Sequence, residues 1–177
     1  MKISTRQLAL CAVLTALALG LSTLENLFPV TLVIPLPGVK LGLANIVTVF
    51  ALYQLGPLPA LCILAARCLL GSLFAGNASA LLFSLLGGTL AMLVMLALSH
   101  LPGLSVYGVS IGGAAAHNIG QMAAALITLG NTAVLGYLPF LLAVSLFTGA
   151  LTGFVSALLL RAMSHVKLSH GRSADNG

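Results

Sequence analysis

Apolar runs fill this chain, broken by short clusters of Gly, Pro and Asn, with almost no strict polar–apolar alternation. Crossing the hydrocarbon core of a bilayer takes roughly 20 apolar residues in a helix. The first run covers about residues 7–24 and gives way to Phe28-Pro29 and Ile34-Pro35-Leu36-Pro37-Gly38, which cannot be regular helix. A second, short run over 41–55 ends at Gly56-Pro57-Leu58-Pro59. The third, 60–75, stops at Gly76-Asn77, and the fourth, 80–98, at His100-Leu101-Pro102-Gly103. The fifth, 107–129, ends at Gly130-Asn131, and the sixth, 134–163, is long enough to require tilt or extension past the interface. This pattern predicts an all-α, polytopic membrane protein: a six-helix transmembrane bundle over residues 1–165 and a disordered cytoplasmic tail over 166–177.

Composition strengthens the membrane reading. Apolar residues make up 60% of the 177 positions and charged ones 5%, against about 25% charged in a soluble domain. Too little polar surface exists to face water all round. Lys2 and Arg6 stand at one end and Arg161, Lys167 and Arg172 at the other, so the +5 net charge is a flank signature. No basic face follows a phosphate backbone, which excludes a nucleic-acid partner. An even number of spans puts both ends on one side, and the Lys and Arg excess places that side in the cytoplasm of a cell (inner) membrane. Residues 8–24 outrun a signal-peptide core and precede no small-x-small site, so they are expected to remain as the first helix.

Against this background the polar residues inside the runs stand out. An ionisable group at the bilayer centre costs about 2.5–3.5 kcal/mol on insertion scales, so each needs a partner or a cavity. Arg67 is central in the third run, and guanidinium suits bidentate capture of carboxylate or phosphate; pairing with Glu25 or with backbone is the structural alternative. Glu25, the one carboxylate side chain outside the tail, ends the first run; an ion pair with Lys40 or Arg67 is its bland role, and capping backbone amides or binding a cation or amine are the alternatives. Lys40 and Asn45 flank the start of the second helix, where unpaired N–H groups and the positive dipole end attract anions; Lys40 could equally be an interfacial anchor. His117, Asn118 and Gln121 share one turn midway along the fifth run and could line a pocket or bridge helices. Ser145, Thr148, Thr152 and Ser156 form a weaker stripe that reads as packing.

Small residues recur at fourfold spacing: Ala12, Ala16 and Gly20; Gly108 and Gly112; Ala116, Gly120 and Ala124; Gly149 and Gly153. Such rows let helix backbones approach closely. Packing within the bundle explains most of them, whereas Ala12, Ala16 and Gly20 on the first helix are placed to dock another membrane subunit. Cys11, Cys62 and Cys68 lie in apolar runs as small packing residues, with no disulfide or metal spacing. No phosphate-binding loop, zinc-protease motif, carboxylate cluster or nucleophile elbow occurs. No enzyme activity, metal or cofactor is expected. The deep polar groups, mostly donors, point instead to a bound small molecule that is anionic or amphiphilic.

Leu24-Glu25-Asn26, and Pro35-Leu36-Pro37-Gly38-Val39-Lys40-Leu41-Gly42-Leu43-Ala44-Asn45-Ile46-Val47-Thr48, resemble the Gx transporter family, whose members are also labelled heptaprenyl diphosphate synthase component I. Arg67 and His117-Asn118 with Gln121 belong to the same match, which runs to about residue 165. That family in turn is similar in architecture to the substrate-binding S components of energy-coupling factor (ECF) transporters. The resemblance implies six helices with both ends inside and docking of an ECF-type transmembrane subunit, with its ATPases, through Ala12 and Ala16. It also implies that residues 29–40 cover an outward-facing pocket. The synthase label conflicts with the missing aspartate-rich sites, so the expected role is uptake of a small molecule. The alternative is a non-catalytic membrane partner of an isoprenoid- or quinone-linked enzyme system.

Overall fold

The structure, a computed structural model, describes residues 5–27 and 42–164. Six α-helices carry the described chain: α1 (Thr5–Leu27), α2 (Asn45–Leu55), α3 (Pro57–Ala75), α4 (Ala78–Ser99), α5 (Val106–Leu129) and α6 (Leu138–Ser164), with a 3-10 turn at Thr132–Tyr137. Residues 29–40, including Lys40, and the tail 166–177 lie outside the described residues.

Local chemistry sets the helix ends. Asn77 caps α4 by accepting the Ser79 N–H at 2.9 Å, and Asn131 accepts the Ala133 N–H at 2.9 Å to start the 3-10 turn. Gly76 and Gly130 close α3 and α5 in the left-handed conformation, φ 60° and 61°, which costs other residues a Cβ clash. Three sequence boundaries shift. The third helix begins at Pro57 rather than 60, because proline in the first turn gives up an N–H that has no partner anyway. The sixth is split, with the 3-10 turn preceding α6. The second begins at Asn45, after a turn through Gly42, rather than at 41.

Four helical stretches are both long and apolar enough to cross a membrane: Thr5–Glu25, Pro57–Ala75, Ala78–Ser99 and Thr132–Met163. Two of the six helices fall outside this set. α5 has the length, at 24 residues, but its polar middle keeps it out of that apolar set. α2 has 11 residues, about 16 Å of helix against a core of about 30 Å, and cannot cross alone. The outward faces are apolar: Leu73, Phe74, Ile127 and Phe147 are exposed. A surface of this kind suits lipid and would aggregate in water.

The long helices form a partial ring in the order α1, α3, α4, α5, α6, and α2 closes it between α6 and α1. α2 also touches every other α-helix, and Asn45 through Leu52 are all buried. The shortest helix is therefore the hub. α1 and α3 run parallel: Cys11 lies close to Cys62, and Gly71 faces Leu19. From α3 onward each helix reverses the last. Cys68 donates to the Ser84 carbonyl between α3 and α4; Gly112 faces Leu98 and Gly120 faces Leu86 between α4 and α5. Gly149 faces Ile111, and Gly153 faces Tyr107, between α5 and α6. The start of α1 and the end of α6 thus lie on the same face of the bundle.

Glycine sets the closest approaches. A Cβ on Gly120 would lie 2.5 Å from the Leu86 carbonyl oxygen, and one on Gly149 2.6 Å from the Ile111 Cα. These rows work inside the bundle. Ala12, Ala16 and Gly20 do not: all three are exposed, while Leu14 and Ala18 supply the buried face of α1.

Candidate binding site

Arg67, Gly87, Gly88 and His117 each fall at the middle of a long helix, and the short helix α2 delivers its N-terminal residue to the same level. Asn45, the first residue of α2, accepts a hydrogen bond on Oδ1 from Arg67 Nη2 at 3.3 Å. Three residues earlier, Gly42 adopts φ +86°, a conformation that L side chains rarely take. Its Cα faces the Asn45 amide and the His117 ring: a Cβ there would lie 3.0 Å from Asn45 Nδ2 and 3.3 Å from His117 Cδ2. The Gly42 N–H donates to Glu25 Oε1.

Across this cluster, α4 presents bare backbone. A Cβ on Gly87 would sit 3.0 Å from the His117 ring and 3.1 Å from Gln121 Cγ, and one on Gly88 3.4 Å from Arg67 Nη2. His117 and Gln121 are one turn apart, so they straddle Gly87 while Gly120 between them meets it backbone to backbone. Glu25, Asn45, Arg67, His117 and Gln121 are thereby gathered around Gly42, Gly87 and Gly88, all between 0% and 7% exposed in the case of the five side chains. Glu25 is within Coulombic reach of the Arg67 guanidinium.

Asn118 goes elsewhere. One residue on from His117, it points about 100° round the helix and donates from Nδ2 to the Leu141 carbonyl of α6 at 2.8 Å. Ser156 makes a comparable tie, from Oγ to the Ile46 carbonyl of α2 at 3.3 Å. Gly42, Gly87 and Gly88 are the members of the cluster that polar-residue reasoning passes over. The adjacent pair Gly87-Gly88 at mid-helix was the available signal, since helix interiors disfavour glycine by about 1 kcal/mol each.

Three amides at the start of α2 are already bonded. The Asn45 and Ile46 N–H groups bond back to the Gly42 and Leu43 carbonyls at 2.9 and 3.0 Å, and the Gly42 N–H is taken by Glu25. Unspent donors are found on side chains. Arg67 Nε and Asn45 Nδ2 are buried and have no hydrogen-bond partner among the described residues. A buried donor left unsatisfied costs about 1–3 kcal/mol. Chemically, each of these donors can bind an oxygen acceptor. Among the described residues, no three His, Cys, Asp or Glu side chains come together in a way that could hold a metal ion.

A family model for heptaprenyl diphosphate synthase component I matches residues 14–159. The chain belongs to that family. The match takes in α2 to α5 whole and with them Glu25, Asn45, Arg67, His117 and Gln121. No curated protein and no solved structure matches the chain. The family description names one component of a synthase, and so a system with a further component.

Proposed function

We propose that this family member is a membrane subunit that binds a small amphiphilic molecule with an acidic or oxygen-accepting group and serves its uptake, energised by a partner. The single observation that carries this reading is a pair of donors with no hydrogen-bond partner among the described residues, Arg67 Nε and Asn45 Nδ2, buried at mid-bundle beside His117 and Gln121. A scaffold made only to fill lipid has no use for a guanidinium at that depth, where insertion costs about 2.5–3.5 kcal/mol. In this reading Arg67 and Asn45 bind the oxygen, Glu25 fixes the turn before α2, and His117 and Gln121 wall the site against α4. Lys40 stays a candidate from the sequence, and Asn118 serves as a brace that holds α5 to α6. Both termini would be cytoplasmic, and the protein itself would catalyse nothing.

The exposed Ala12, Ala16 and Gly20 face would receive the energising transmembrane subunit, because small residues there allow close helix approach. A second reading draws on the family description: a non-catalytic membrane partner of an isoprenoid-linked synthase. Native mass spectrometry of the protein extracted in lipid nanodiscs separates the two. A stoichiometric small molecule on the wild-type protein, absent from Arg67→Ala, supports uptake. Co-purification with a prenyl diphosphate synthase subunit and an empty site in both proteins would overturn it in favour of the second reading.

A further inference from the structure

Five hydroxyl side chains are buried among the described residues: Thr48, Ser110, Ser145, Thr152 and Ser156. A helical hydroxyl away from water ordinarily turns back to a carbonyl of its own helix, three or four residues earlier. Ser145 and Thr152 do so, donating to the Leu142 and Gly149 carbonyls at 2.6 and 3.0 Å, and Ser156 reaches the Ile46 carbonyl of α2. Thr48, 1% exposed, does neither. Its Oγ1 has no hydrogen-bond partner among the described residues, a costly state for a buried polar group.

Its place matters. Thr48 follows Asn45 by three residues on α2, so the two share a face with their Cβ atoms about 5–6 Å apart. Helical side chains lean toward the N-terminus, which carries the Thr48 hydroxyl back toward the Asn45 turn. Asn45 Nδ2 and the Nε of Arg67, which is bonded to Asn45, lack partners in the same way. Unspent polar groups thus continue for a turn along α2 from the donors of the proposed site. Ser110 Oγ also has no partner among the described residues, but it is set apart. It stands seven residues before His117 on α5, about 10 Å along the axis, and a Cβ on Gly153 of α6 would lie 3.3 Å from it. A molecule held by one oxygen at Arg67 and Asn45 would leave the Thr48 hydroxyl, which can both donate and accept, as it is. We infer that Thr48 is a further ligand-contacting residue, and that the bound molecule carries a second oxygen function, a hydroxyl, carbonyl or ether, about one helical turn from the first. The substrate class is then an amphiphile with two separate oxygen-bearing groups, as opposed to a simple fatty acid. The inference rests on the binding role proposed above and narrows its substrate class.

Wild-type protein is extracted into lipid nanodiscs, and the small molecule it retains is released and identified by accurate mass and fragmentation. That molecule is then titrated into emptied wild type, Thr48→Val, Thr48→Ser and Ser110→Ala. Thr48→Val is expected to weaken binding about three- to tenfold, in line with the loss of one neutral hydrogen bond. Thr48→Ser, which keeps the hydroxyl, and Ser110→Ala should each stay within about twofold of wild type. Valine matches threonine in shape and leaves no hydroxyl unpaired, so emptied Thr48→Val should melt at or above the wild-type temperature. A purely structural Thr48 would give the reverse, a lower melting temperature with affinity unchanged. Unchanged affinity in Thr48→Val would overturn the inference, as would an equal loss in Ser110→Ala, which would mark a general effect of removing a buried hydroxyl. A recovered molecule with a single oxygen-bearing group would overturn it as well. Failure of the binding role itself shows separately, as wild-type protein that retains no small molecule in native mass spectrometry.

Discussion

Gly120→Ala places one methyl group at the tightest point between α4 and α5. Its Cβ would lie 2.5 Å from the Leu86 carbonyl oxygen, 2.7 Å from Gly87 Cα and 2.8 Å from Leu86 carbonyl carbon. Carbon contacts are optimal at about 3.5–4.0 Å, so the two backbones must separate by about 1 Å. Backbone cannot swing aside as a side-chain end can. Overpacking of this kind costs about 1–3 kcal/mol, and alanine's better helix propensity returns at most about 1 kcal/mol of it. A net loss of about 1–2 kcal/mol corresponds to a fall of about 2–8 °C in Tm for a chain of this size. Because His117 and Gln121 straddle Gly87, the same separation loosens the site, and ligand occupancy should fall with Tm. The control is Gly20→Ala, where nothing lies within 4 Å of the added Cβ. Both variants are read by fluorescence-detected thermal unfolding in one detergent. A Gly120→Ala protein that melts within about 1 °C of Gly20→Ala would refute the reasoning, since propensity effects on the two helices are alike.

Other substitutions probe separate links. Gly42→Ala forces a side chain into φ +86° and against Asn45 and His117, and should cost about 1–3 kcal/mol of stability and weaken ligand binding, read by thermal unfolding and native mass spectrometry. Asn118→Ala leaves the Leu141 carbonyl without its partner; a loss of about 0.6–1.7 kcal/mol, with ligand affinity changed less than twofold or so, is the expected result by thermal unfolding and titration. A short bifunctional maleimide should join Cys11 to Cys62, because α1 and α3 run parallel with these residues close. Peptide mapping that finds no such link would contradict the helix order. Ala16→Phe on the exposed face of α1 should leave ligand affinity unchanged and prevent recovery of any transmembrane partner in a pull-down.

Element positions were largely legible because Gly, Pro and Asn punctuate the apolar runs: Gly76-Asn77 and Gly130-Asn131 end and start helices as expected. The role of α2 was not. A short apolar run has the same periodicity whether it is a weak span or a helix packed against all the others, and here it is the latter, buried from Asn45 to Leu52. Arg67, Asn45, His117 and Gln121 were conspicuous as polar residues at depth, but their meeting depends on glycines. Gly87 and Gly88 admit the side chains of two other helices, which no local pattern on those helices reports. Glu25, brought in across 17 positions of sequence, accepts the Gly42 N–H just ahead of α2, a meeting that no local pattern reports. Asn118 shared a turn with His117 yet faces another helix, because adjacent helical residues point about 100° apart.

The central claim is that the donors around the start of α2 hold a ligand. Its most direct measurement is the affinity of the small molecule recovered with the protein, titrated into wild type and Arg67→Ala in the same nanodiscs. Loss of a charge-assisted hydrogen bond at a buried guanidinium should weaken binding by about 1.5–3 kcal/mol, a factor of roughly 10–150. Equal affinity in the two proteins, with Arg67→Ala folded, would contradict it.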